Sequence, residues 1–172
     1  MTACALMTAL TAVLAQIAIP VPLGVPITLQ TFAVALCGYF LGLKFGVLST
    51  LIYILLGAVG VPVFTHFQGG LHYIFASPTG GFILGFLFIS LFSGLSPLFK
   101  WKKHGKVYAV LLGVIGVIFC HLCGVMQYSS ITAIPFTTSA LTVSLPFIIK
   151  DIISALLAYF LSERLKKIYA KF

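Results

Sequence analysis

Long apolar stretches alternate along the chain with short breaks punctuated by proline, glycine and lysine. Six such runs stand out, over residues 2–19, 29–43, 45–61, 80–99, 107–128 and 146–165. A membrane-spanning helix takes about 20 apolar residues, whereas a spanning β-strand takes about 10 with strict apolar and polar alternation. The runs match the first template and lack the second. The pattern predicts an all-α integral membrane protein of six transmembrane helices, with residues 1–172 forming a single membrane-embedded domain. Runs two and three are short and flank the tight break Gly42-Leu43-Lys44-Phe45-Gly46. The first run has no basic segment ahead of its apolar stretch, so it is read as a retained span and not a secretory signal.

Composition excludes most other classes. Lys and Arg number ten and Asp and Glu two, so charged residues make up 7% of the chain, against about 25% in soluble domains. Apolar types reach 61% and Phe alone contributes 16 residues. So few charges cannot supply the polar skin of a soluble enzyme. The net charge of +8 records membrane topology and not nucleic-acid binding. Lys44 falls in the second break, Lys100, Lys102, Lys103 and Lys106 in the fourth, and Arg164, Lys166, Lys167 and Lys171 at the C-terminal end. The connections 20–28, 62–79 and 129–145 contain no Lys, Arg, Asp or Glu. With six crossings, nine of the ten basic residues lie on one side. Positive residues stay inside, so both termini are expected in the cytoplasm and the uncharged loops outside. A multi-pass protein of the cell membrane follows, with a bacterial plasma membrane as its expected home.

Lys150 and Asp151 stand apart from this distribution, at the outer end of the last run. Ionisable groups near hydrocarbon are costly and mark sites, partners or pathways. The plainer reading is a lysine snorkelling to the interface beside an acid at a helix start. Neighbouring helix positions diverge, so Lys150 and Asp151 do not share a face, while Lys150 shares one with Ser154. The uncharged outer loops carry aromatic and hydroxyl residues that suit a cover over a small, mostly apolar ligand, or serve as plain connectors. His66 and His72 are read as loop polar groups. Cys120-His121-Leu122-Cys123 offers too few ligands for a metal, and its cysteines read as packing residues. No metal, no cofactor and no disulfide is expected. A phosphate-binding loop and the common hydrolase motifs are missing. The pairs Gly38/Gly42 and Gly81/Gly85 are read as helix-packing positions. Ala3, Ala5, Ala9, Ala12 and Ala15 form a strip of small side chains, suited to close approach within the bundle or by a partner helix.

Four segments, taken in order, carry a resemblance: Pro22-Leu-Gly-Val-Pro-Ile-Thr-Leu-Gln-Thr-Phe-Ala33 with Gly42, Gly60-Val-Pro-Val-Phe64, Ser77-Pro-Thr-Gly-Gly-Phe82, and Pro146-Phe-x-x-x-Asp151. Together they resemble the BioY family, the biotin-binding S components of energy-coupling factor (ECF) transporters. The resemblance implies six helices, no catalysis, and a biotin site near the outer face under the loops after helices one and three. It also implies a T-type membrane subunit and two cytoplasmic ATPases as partners, with Ala5, Ala9 and Ala12 against the T subunit. The family's last helix carries Asp-x-x-Lys, whereas this chain reads Asp151-Ile-Ile-Ser154. Asp151 is expected to bind the ring N–H of biotin and Lys150, one turn from Ser154, its carboxylate. Thr28, Gln30, Phe64, Gln68, Tyr73 and Thr79 are expected near the pocket. The Ser at position 154 leaves lipoate or a biotin precursor as alternative ligands. A membrane enzyme using His66, His72 or Asp151 on a lipid, and a solitary channel or scaffold, are the remaining readings.

Overall fold

The structure is a computed structural model that describes residues 1–21, 25–99 and 104–169. Its helices are α1 (Thr2–Ala15), α2 (Gln30–Ala58), α3 (Leu71–Phe75), α4 (Gly80–Gly94), α5 (Gly105–Thr132), α6 (Phe136–Val143) and α7 (Leu145–Tyr169). Two short strands, β1 (Ala18–Ile19) and β2 (Ile27–Thr28), pair antiparallel between α1 and α2. The helices carry large apolar side chains all round, so hydrocarbon, and not water, is the medium their outer faces suit. Leu6, Val13, Ile118, Leu157 and Phe160 are among those left exposed.

Among the described residues, four helical stretches are long and apolar enough to cross a membrane: Gln30–Ala58, Gly80–Phe99, Gly105–Thr132 and Leu145–Ile168. Helix α1 is shorter, at 14 residues. Helix α2 covers both the second and third apolar runs, and its contacts show that it is not one straight rod. Gln30 Nε2 lies 2.7 Å from Tyr53 Oη, positions that a straight helix would hold about 34 Å apart. Cys37 and Ser49 also meet side by side. The chain doubles back at Gly42, whose φ of 78° and ψ of −177° break the helical path. Such a conformation is open to glycine and strained for other residues. The two runs are therefore antiparallel arms, 30–41 and 43–58, of about 18 and 24 Å.

Close backbone approach holds these arms together. A Cβ on Gly46 would lie 2.8 Å from Gly38 Cα and 2.9 Å from Cys37 O. Gly38 in turn faces α4, where a Cβ on it would lie 2.8 Å from Ser93 Cβ, and a Cβ on Gly85 of α4 would lie 2.7 Å from Cys120 Cα of α5. Of the spaced glycine pairs, Gly38, Gly81 and Gly85 are thus packing positions, while Gly42 is the reversal itself. Helix α1 joins the hairpin through hydroxyls: Thr8 Oγ1 lies 3.0 Å from Ser49 Oγ, and Ser49 Oγ donates to Cys4 O at 3.2 Å. Tyr39 Oη donates to Ala109 O at 2.9 Å and joins the hairpin to α5.

The expected outer connections are more ordered than plain loops. The stretch 62–79 contains a 3-10 turn (Thr65–Phe67) and α3, and most of 129–145 is helical in α5 and α6. Lys44, Lys106, Arg164, Lys166 and Lys167 gather at the end of the bundle opposite Asp151, where Gly94 packs on Leu43 and Lys106 shares a cleft with Glu163 and Lys166. Lys100, Lys102, Lys103 and Lys171 lie outside the described residues.

The hairpin yields a test. Gly46→Ala forces two backbones apart and is expected to lower stability by about 1–3 kcal/mol, measured by thermal unfolding in detergent.

Candidate ligand-binding site

Asp151 lies on α7 nearly two turns from its start, with its side chain only 10% exposed. Its Oδ2 accepts from His121 Nε2 at 3.1 Å. Its Oδ1 touches the Lys150 ammonium as an ion pair, without hydrogen-bond geometry. The two side chains leave the helix in different directions, but the long lysine stem folds the ammonium back onto its neighbour. A shared face was not needed for the pair to form. Lys150 Nζ also donates to Thr28 O at 3.0 Å, joining α7 to the end of the β-hairpin.

From Thr28 the polar contacts continue inward. Thr28 Oγ1 donates to Gln30 Oε1 at 3.1 Å, and Thr65 Oγ1 donates to the same oxygen at 3.0 Å. Gln30 Nε2 donates to Tyr53 Oη at 2.7 Å, and Tyr53 Oη in turn donates to Val63 O at 3.1 Å. Gln30 is 5% exposed, and its amide satisfies three hydroxyls from three separate segments. On the far side, His121 Nδ1 lies 3.0 Å from Ser144 Oγ, at the joint between α6 and α7.

These groups open onto a cavity of ≈ 50 Å³. Its polar rim is made by Thr28, Gln30, Thr31, Thr65, Thr79, His121, Lys150 and Asp151. Val25, Tyr73, Phe82, Ile83, Phe86, Val117, Val143 and Phe147 supply the apolar wall. The Phe82 ring meets the His121 ring edge to face, with centroids 5.5 Å apart. A few convergent polar groups in an apolar hollow is the usual make-up of a small-molecule site.

The segment 62–79 covers the cavity and is held down by two glutamines. Gln16, just past α1, donates to Phe64 O at 3.1 Å and accepts from Phe67 N at 2.9 Å. Gln127 of α5 donates to Ile74 O at 2.7 Å and Ser77 O at 3.1 Å. Side-chain amides can satisfy a loop backbone in this way because each offers both a donor and an acceptor.

Of the residues expected at the pocket, Thr28, Gln30, Tyr73, Thr79, Lys150 and Asp151 line the cavity. Phe64 lies behind its wall, fully buried, with its ring against Gly57 and stacked on Tyr73 at 5.7 Å. Gln68 is exposed and faces His66 O, and Ser154 is buried away from the cavity. His66 and His72 are exposed. The sequence reading missed His121, whose ring was passed over within the Cys-His-Leu-Cys motif. The signal was available: an ionisable residue deep in an apolar helix calls for a partner. Thr31, Thr65, Phe82, Phe86 and Phe147 carried no such signal, since hydroxyl and phenyl groups are common in membrane helices.

The fold and the apolar helices define a multi-pass membrane protein with a small covered cavity at one end. The BioY family model matches residues 1–171, and the chain belongs to that family. A BioY relative from Pyrococcus horikoshii is 41% identical over 162 residues, spanning 94% of this chain and 93% of the relative. The biotin transporter BioY of Thermotoga maritima is 38% identical over 152 residues, spanning 87% of this chain and 86% of that protein. A solved S-component for biotin from an ECF-type ABC transporter superposes with a TM-score of 0.87 at 32% identity, covering 96% of this chain and 89% of its own.

Gln30 offers a test of the polar core. Gln30→Ala leaves three buried hydroxyls short of a partner and is expected to cost about 1–3 kcal/mol, read as a lowered thermal midpoint. Thr65→Val in the same background should add less than it does alone, because the two side chains share one hydrogen bond.

Proposed function

We propose that this protein is the substrate-binding S component of an ECF-type transporter and that it takes biotin into the cavity beside Asp151. The observation that carries this reading is a buried carboxylate paired with a lysine at an apolar cavity, in a chain of the BioY family. Biotin combines a ureido ring with a flexible chain ending in a carboxylate. Asp151 Oδ1 meets the Lys150 ammonium without hydrogen-bond geometry and suits a ureido N–H as a better-aligned donor. The Lys150 ammonium, 31% exposed at the cavity mouth, suits the ligand carboxylate as a charge-assisted partner. Phe82, Phe86 and Phe147 supply the apolar contacts for the ring carbons and the chain. The cavity holds only a few waters' worth of space, so a ligand of this size enters by parting the cover.

The relatives and the solved neighbour named for biotin favour it over lipoate or a biotin precursor. Ser154 stands where the resemblance puts a lysine, and Lys150 supplies the cation from the preceding turn. The protein is a transport component and not an enzyme, as its family is one of transporters.

The wider assembly belongs to the same proposal. Residues 1–172 act as one membrane-embedded domain with six crossings, both termini cytoplasmic. α1, the two arms of α2, α4, α5 and α7 supply the six. The gathering of basic residues opposite the cavity supports the sidedness. A T-type membrane subunit and two cytoplasmic ATPases are its partners, as the resemblance implies; the solved neighbour is an S-component from an ECF-type ABC transporter. Ala5, Ala9 and Ala12 flank an apolar groove with Leu48, Ile52 and Leu56, and its small residues suit close approach by the T-type subunit.

Binding of labelled biotin to the purified chain tests the site. Asp151→Asn is expected to abolish measurable binding, and Lys150→Ala to weaken it at least about tenfold, the scale of one lost charge-assisted contact. Lys150→Ala should also remove the preference for the free acid over its methyl ester. Unchanged affinity in Lys150→Ala would sink the carboxylate assignment.

A further inference from the structure

His121 is buried at 4% exposure, with both ring nitrogens engaged. The neutral ring donates from Nε2 to Asp151 and accepts at Nδ1 from the Ser144 hydroxyl. The charged ring donates from both nitrogens, and Ser144 Oγ then accepts. A serine hydroxyl serves either role by rotating its O–H. His121 can therefore gain a proton with no hydrogen bond lost and no heavy atom displaced.

The charges around it give that proton a use. In the empty site Lys150 and Asp151 balance. A carboxylate ligand adds a negative charge that nothing else in the cavity offsets, and an unbalanced charge in apolar surroundings is costly. The groups facing His121 offer no competing base of similar strength. The other ionisable side chains nearby are Cys120 and Cys123 on its own helix, Tyr73 across the cavity and Asp151, and imidazole is ordinarily a much stronger base than a carboxylate. Helices α4 and α6 contain no ionisable residue.

We infer that biotin binding is coupled to protonation of His121, so that the loaded site sets two cations, Lys150 and His121, against two carboxylates, Asp151 and the ligand. This inference rests on the assignment of the cavity to biotin. The proton comes from solvent. By linkage, affinity then rises as pH falls, until His121 is already charged in the empty protein.

Titration calorimetry on the full chain in detergent, in two buffers of different ionisation enthalpy, measures the proton directly. Uptake of up to about one proton per biotin is expected, with affinity falling by as much as about tenfold per pH unit on the alkaline side. Biotin methyl ester, which is neutral, should bind with no uptake and a flat profile. His121→Gln keeps a donor for Asp151 but cannot titrate, so proton uptake on biotin binding should vanish. Biotin binding without proton uptake in the unmodified protein overturns the inference alone. So does equal uptake with the ester, a test that does not depend on any variant folding, or uptake that persists in His121→Gln. No biotin binding at any pH overturns the ligand assignment and this inference with it.

Discussion

A carboxylate inside an apolar bundle requires positive charge and hydrogen-bond donors within a few ångströms. Asp151 imposes that requirement here, and the cavity end of the molecule is arranged around meeting it. Lys150 answers from the same helix and His121 from α5. Each answering group is then tied to something else. Lys150 reaches the backbone of Thr28, 122 residues away in sequence, and His121 reaches Ser144 at the joint of α6 and α7. Gln30 extends the network from Thr28 to Tyr53 and Thr65. One buried charge thereby fixes the relative positions of the β-hairpin, α5, α7 and the cover.

The rest of the bundle uses a different force. Between helices in lipid there is little hydrophobic drive, because the surrounding chains are as apolar as leucine. Close packing has to supply the attraction, and it is strongest where backbones meet with nothing between them. Gly46 on Gly38, Gly85 on Cys120 and Gly116 on Ile89 are such places. The apolar residues left outside are the solvent-facing surface of a protein whose solvent is hydrocarbon. At the cavity end, where backbone leaves the helices, Gln16 and Gln127 supply the hydrogen bonds that a helix would have made internally.

Ser154 stands where the resemblance puts a lysine, and in this chain the ammonium beside Asp151 comes from Lys150. Helical geometry alone puts Lys150 about 100° round the axis from Asp151, but four methylenes and a soft set of torsions close that gap. Ser154, too short to reach, faces the bundle and stays off the cavity.

Much of this was legible in the residues themselves. The apolar runs, the break at Gly42, the segregation of nine basic residues and the isolation of Lys150 and Asp151 are properties of composition and order. They follow from the cost of moving charge into hydrocarbon, which acts on each residue separately. Hence the membrane class, the family and the principal acid were readable in one dimension. What depends on pairs of residues distant in the chain was not. That Gln30 meets Tyr53, that Gln68 turns outward, and that His121 rather than a second lysine braces Asp151 were decided only by how the helices pack. Hydrogen bonds and ion pairs act over about 3 Å, and only the tertiary structure brings those atoms that close.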